Sequence, residues 1–171
     1  MSIFDRFRAK PDALLQWLEG YCAGRPHGRR AEFFDGYQSA GGPRLKVALE
    51  SPQPSSEYLP FVRPEVYLDA RQSAALPSID DPGWRSRMED AQGLRVGGFV
   101  LDPDFDCDSP LLRARGAQLG GYLERFSRAV DQVRYEPPWL FILVQRHGTS
   151  EAELRRDIER ADVLLSFLET R

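Results

Sequence analysis

Six consecutive apolar residues, Trp139-Leu140-Phe141-Ile142-Leu143-Val144, stand between Pro137-Pro138 and His147-Gly148. A short apolar run bounded by turn signals reads as a strand. Being apolar on both faces, it reads as a central strand rather than an edge. Directly after it, Ser150 and Glu153 have the spacing of a capping box, and Leu154, Ile158, Ala161, Leu165 and Leu168 recur at helical spacing. A central strand followed by an amphipathic helix already implies a sheet with helices packed on it.

The rest of the chain supplies partners for that strand. Leu45, Val47 and Leu49 alternate with Lys46, Ala48 and Glu50, the pattern of a half-buried strand, which Pro52 and Pro54 close. A second strand is expected over 65–70 and a third over 94–101. Inside the third, Gly97-Gly98 implies a bulge or a close backbone approach. Pro11 and Asp12 precede Leu14, Leu15, Trp17, Leu18, Tyr21 and Cys22, an amphipathic first helix. From Pro110 to Val133, apolar residues in steps of three and four predict one long helix, started by Asp108 or Ser109 and stopped by Pro137-Pro138. Residues 24–43 read as a long connection with a short helix at 30–37. Residues 72–93 read as a polar, turn-rich segment with one helical turn near Trp84 and Met88. The expected order is α-β-β-β-α-β-α. That is an α+β domain over residues 1–171, with a mixed or antiparallel sheet of about four strands and helices on one face.

Composition narrows the function classes. The net charge of −3 supplies no field for nucleic acid, and 42% hydrophobic with 29% charged residues fits a folded globular chain. Lys10 and Lys46 are the two lysines, so 21 of the 23 basic residues are arginine, a bias expected of a GC-rich bacterial genome. The N-terminal residues form no signal-peptide core and no stretch reaches about 18 apolar residues, so a cytoplasmic address without a membrane span is expected.

The most pointed chemical feature is Asp102, Asp104, Asp106 and Asp108, alternating through Leu-Asp-Pro-Asp-Phe-Asp-Cys-Asp. Four carboxylates this close repel one another unless a cation, a basic partner, a helix N-terminus or water offsets the repulsion. The first three match the opening of a helix–loop–helix calcium loop. Cys107 then stands where that loop needs glycine, and Arg113 where it needs glutamate. A magnesium-dependent phosphoryl-transfer site would need a phosphate-cradling loop, and no Gly-x-x-x-x-Gly-Lys motif occurs. The plain reading is a cap on the following helix, with the other aspartates in water.

Other constellations are thinner. His27 and His147 each neighbour glycine; Cys22 lies on an apolar helix face and Cys107 in a loop, with no zinc spacing and no Gly-x-Ser-x-Gly elbow. Arg25, Arg29 and Arg30 near Phe33, Phe34 and Tyr37 could bind single-stranded nucleic acid, but the patch is short and the chain acidic. Trp84, between a glycine and arginines, has a hot-spot composition, or else folds back over the sheet. The expectation is therefore a bacterial protein-binding module without cofactor or metal. It would contact a basic partner surface through Asp102, Asp104, Asp106, Asp108 and Trp84, as an immunity or antitoxin-like inhibitor does. The alternative is a metal-dependent hydrolase using the same aspartates.

Overall fold

The computed structural model describes residues 12–25, 30–39, 42–88, 93–102, 109–146 and 148–169. Their elements run α1 (Ala13–Ala23), β1 (Ala31–Ser39), β2 (Gly42–Glu50), β3 (Leu59–Val62), a 3-10 turn at Pro64–Val66, α2 (Ala70–Ala75), α3 (Trp84–Met88), β4 (Leu94–Val96), β5 (Phe99–Leu101), α4 (Pro110–Leu123), β6 (Val130–Glu136), β7 (Trp139–Gln145) and α5 (Glu151–Glu169). The class is α+β, as expected. The sheet has seven strands rather than about four, in the order β1-β2-β7-β6-β3-β5-β4, with every neighbouring pair antiparallel.

The apolar run at 139–144 is an interior strand, flanked by β2 and β6. Side chains alternate across it. Leu45, Val47 and Leu49 of β2 pair with Val144, Ile142 and Leu140, and these pair on with Val130, Val133 and Tyr135 of β6. All nine are buried, together with Leu18 of α1, Leu112, Leu119 and Leu123 of α4, and Leu154, Ile158, Ala161 and Leu165 of α5. The core therefore fills the space between one sheet face and three helices. Ser109 Oγ accepts from the Leu112 amide and Ser150 Oγ from the Glu153 amide, the caps expected for α4 and α5, and at α1 the Asp12 carboxylate accepts from the Leu14 and Leu15 amides.

Four expected elements differ, each for a physical reason. Residues 31–39 form the edge strand β1, not a helix within a connection; a bulge between Phe34 and Tyr37 breaks the alternation that would have marked it. The strand expected at 65–70 lies earlier, at β3. Pro64 then starts a 3-10 turn, and Asp69 with Gln72 forms a capping box that opens α2. The run 94–101 is two strands, because Gly97 and Gly98 both take positive φ (46° and 57°) and reverse the chain in a two-residue hairpin. The helix expected to reach Val133 stops at Leu123, and Val130 onward is β6. Ala129, Val130 and Val133 satisfy a helical period, yet Val130 and Val133 also meet Val144 and Ile142 across the sheet. The corner between is fixed by Asp157, fully buried on α5, which accepts hydrogen bonds from the Ser127 amide (2.9 Å) and hydroxyl.

Candidate functional site

The second face of the sheet is not covered by α1, α4 or α5. Along the edge of β4 the chain after β3 returns: Ser78 bridges Arg95, Arg95 Nε donates to the Leu76 carbonyl (3.0 Å), and Val100 on this face is buried. Across β1, β2, β7 and β6 no described helix covers this face, where Lys46, Phe141, Trp139 and Arg134 are half-buried and Ala48 and Leu143 are buried. Register sets its crosswise rows. Phe34 lies opposite Lys46, and Lys46 opposite Leu143; Ala48 lies opposite Phe141, and Phe141 opposite Arg134. Lys46 Nζ sits 4.6 Å from the centre of the Tyr37 ring and 4.3 Å from that of Phe141. The Arg134 guanidinium lies 5.4 Å from Phe141, that of Arg30 lies 5.8 Å from Trp139, and Trp139 stacks on Phe141. Phe34 is 54% exposed. Rings and cations thus alternate over four strands, each cation held on a π-face.

At one end of the same face a cleft of about 440 Å³ opens, lined by Arg44, Arg63, Glu65, Val66, Arg128, Asp131 and Gln145. The sheet brings most of these together. Arg44 of β2 is in register with Gln145 of β7, and the Arg63 amide donates to the Asp131 carbonyl (2.8 Å). Asp131 is the extra residue of a bulge in β6, between the pairs Val130 with Val144 and Gln132 with Leu143. Such a bulge re-aims a side chain. Here the Asp131 carboxylate accepts from Arg44 Nε and from Gln145 Nε2 (3.1 Å).

Arg63 is 6% exposed and has no carboxylate within ion-pair distance among the described residues. Its guanidinium lies over the Phe99 ring at 4.0 Å. Nε donates to the Val130 carbonyl (2.9 Å), Nη1 to Gly98 (3.0 Å), and Nη2 to Phe126 (3.3 Å) and Ser127 (2.9 Å). Burial pulls its pKa below the ordinary arginine value, and the nearby Arg128 charge pulls the same way. At the rim, Arg128 pairs with Glu65 at 3.3 Å, with side chains 83% and 65% exposed.

The residues singled out in the sequence fall elsewhere. Asp104, Asp106 and Asp108 lie outside the described residues, as do Cys107, His27, His147 and Arg29. Asp102 directly follows β5, its amide donating to the Pro60 carbonyl (2.9 Å). Pro60 pairs with Arg134, so the aspartate run begins on the crosswise row that holds Arg134 and Phe141. Burial raises the Tyr67 phenol, and the Asp102 carboxylate nearby adds to the shift. Trp84 opens α3, half-buried against the core, with the Arg85 guanidinium 5.5 Å from its ring. Arg25 forms a bidentate pair with Asp162 (2.7 Å for both bonds), and Arg30 pairs with Glu50, so the 25–37 segment presents no shared basic patch among the described residues. Cys22 is half-buried on α1, and burial pushes its thiol up, away from nucleophilic chemistry. Among the described residues, no three His, Cys, Asp or Glu side chains are grouped to hold a metal ion, and no helix is long and apolar enough to cross a membrane.

Sequence reasoning missed the open face and the cleft. Lys46 and Glu50 were readable as the outward positions of β2. Nothing in sequence spacing joins Arg44, Arg63, Arg128, Asp131 and Gln145. In comparisons with known proteins, no family model, curated protein or solved structure matches this chain.

Proposed function

We propose that this chain is a non-catalytic module that binds another protein through the open face of its sheet. The observation that supports the reading is the ring-and-cation strip of Phe34, Tyr37, Lys46, Phe141, Trp139 and Arg134 on a face that no helix among the described residues covers. Aromatic and arginine side chains dominate protein–protein hot spots, because they bury much area with few torsions to freeze. Aromatic sheets also bind single-stranded nucleic acid. Here three cations of the face pair with carboxylates, Arg30 with Glu50, Arg44 with Asp131, and Arg134 with Glu136 at 3.7 Å, while Lys46 lies on the Tyr37 and Phe141 rings. With a net charge of −3, little positive field is left to track a phosphate backbone.

Asp102, the one described member of the aspartate run, lies two strands from Arg134 at the margin of the same surface. At a strand spacing of about 4.8 Å, that is about 10 Å of sheet. A partner with basic residues at that margin and an apolar centre fits both parts. The arginine-rich composition supports a bacterial source, and an inhibitor of the immunity or antitoxin kind, acting in the cytoplasm, is the concrete form of the proposal.

A photo-crosslinking residue at Phe34 in the native cell should trap a partner that the same residue at Val163, exposed on α5, does not trap. With that partner in hand, Phe34→Ala and Lys46→Glu should each weaken binding by at least about ten-fold, the scale of a hot-spot residue. Replacing Asp102, Asp104, Asp106 and Asp108 together with asparagine should slow association and flatten its salt dependence. Identical capture at both positions, or affinity indifferent to Phe34 and Lys46, would reject the open face. Tight binding of a single-stranded oligonucleotide at low salt would move the reading to nucleic acid.

A further inference from the structure

We infer that the cleft at the end of the sheet is a ligand site that binds a small organic molecule through an oxyanion, a phosphate monoester or a carboxylate. Three guanidiniums line it, from Arg44, Arg63 and Arg128, against two carboxylates, Asp131 and Glu65. Both carboxylates are already committed, Asp131 to Arg44 and Glu65 to Arg128. The positive charge left over is that of Arg63. It lines the cleft with four of its five N–H donors on carbonyls and no carboxylate within ion-pair distance among the described residues, the Glu65, Asp131 and Asp157 charges acting on it from further away. Carbonyl dipoles do not cancel its charge, so its field extends into the cleft it lines.

The walls suit an anion as well. Arg44 is fixed from behind, through Nε on Asp131 and Nη1 on the Pro43 carbonyl (3.2 Å), and Gln145 is fixed by the same aspartate. A guanidinium oriented by a second group is a ready oxyanion donor. Arg128 is held only by an exposed pair, and such pairs contribute little, so it can turn onto a ligand at small cost. The volume exceeds what a bare phosphate needs and falls in the range of small-molecule sites, about 300–1,000 Å³. Val66 offers the organic part an apolar contact.

The test uses the full chain and calorimetric titration with inorganic phosphate, phenyl phosphate, benzoate and succinate, against sodium chloride at matched ionic strength. Saturable binding by one or more of these oxyanions is expected, and the tighter group names the class. Arg128→Glu, a surface change that leaves the fold intact, should weaken it about ten-fold or more, the value of one charge-assisted hydrogen bond. Arg44→Gln should do the same, and the Nε–H resonances of Arg44 and Arg128 should move on titration while that of Arg155 on α5 does not. No saturable binding by any of the four, or binding unchanged in both variants, overturns the inference.

Discussion

Replacing Arg63 with methionine should lower the unfolding free energy by about 3 kcal/mol, measured by chemical denaturation. Methionine fills much of the same space and removes the cost of burying a charge. It also strips four carbonyls, on Val130, Gly98, Phe126 and Ser127, of a donor. Each buried group left unsatisfied costs about 1–3 kcal/mol. Relief of charge burial offsets part of that sum, which is why the expected loss is about 3 kcal/mol rather than the total. Against a typical stability of about 5–15 kcal/mol, this is a large fraction. Arg63→Lys keeps the charge but has one nitrogen to reach carbonyls on both the β4–β5 hairpin and the α4–β6 corner, so it should recover only part of the loss. A methionine variant within about 1 kcal/mol of the parent would mean that Arg63 is no staple.

Gly97→Ala should be at least as damaging. A Cβ at position 97 would stand 2.1 Å from the Gly120 carbonyl oxygen and 2.9 Å from its carbon, both backbone atoms of α4. No rotamer change relieves a collision with helix backbone, so the hairpin and helix must separate. The positive φ of 46° adds about 1–2 kcal/mol for an L side chain, and forced separation about 1–3 kcal/mol more. A total near 4 kcal/mol is expected. Gly36→Ala separates the two contributions: its φ is 76°, yet nothing lies within 4 Å of the added methyl. It should lose only the backbone part. Equal melting temperatures for the two variants would show that contact with α4 adds nothing.

These two residues also mark where the sequence was legible and where it was not. β2, α1 and α5 were readable because one period fits each of them, two for Leu45, Val47 and Leu49 and 3.6 for Leu154, Ile158, Ala161 and Leu165, and β7 because its short apolar run stands between turn signals. Val130 and Val133 fit both periods, and only the presence of β7 beside them decides for a strand. Gly97-Gly98 signalled a close approach, which is there against Gly120, but it also turns the chain, and a run of eight residues concealed two strands. β1 carries polar residues and a bulge, so it lacks the alternation that marks a strand. The aspartate run stood out because its charges are adjacent in sequence. The arginines of the cleft did not, because residues 44, 63, 128, 131 and 145 become neighbours only through cross-strand register and a bulge in β6.

The bulge in β1 has a consequence at the scale of many molecules. A sheet's outermost strands present unpaired amides and carbonyls, a template on which other chains can polymerise. At one border of this sheet β4 is three residues long, and Ser78 already bridges to it. At the other, β1 is nine residues long, but the extra residue between Phe34 and Tyr37 and the left-handed Gly36 interrupt its straight ladder, while Asp35 is tied to Arg146 at 3.1 Å. Neither border offers a long, flat run of free backbone groups. A chain with an apolar central strand and an aromatic open face can thus remain dispersed, because the geometry of its margins blocks growth strand by strand.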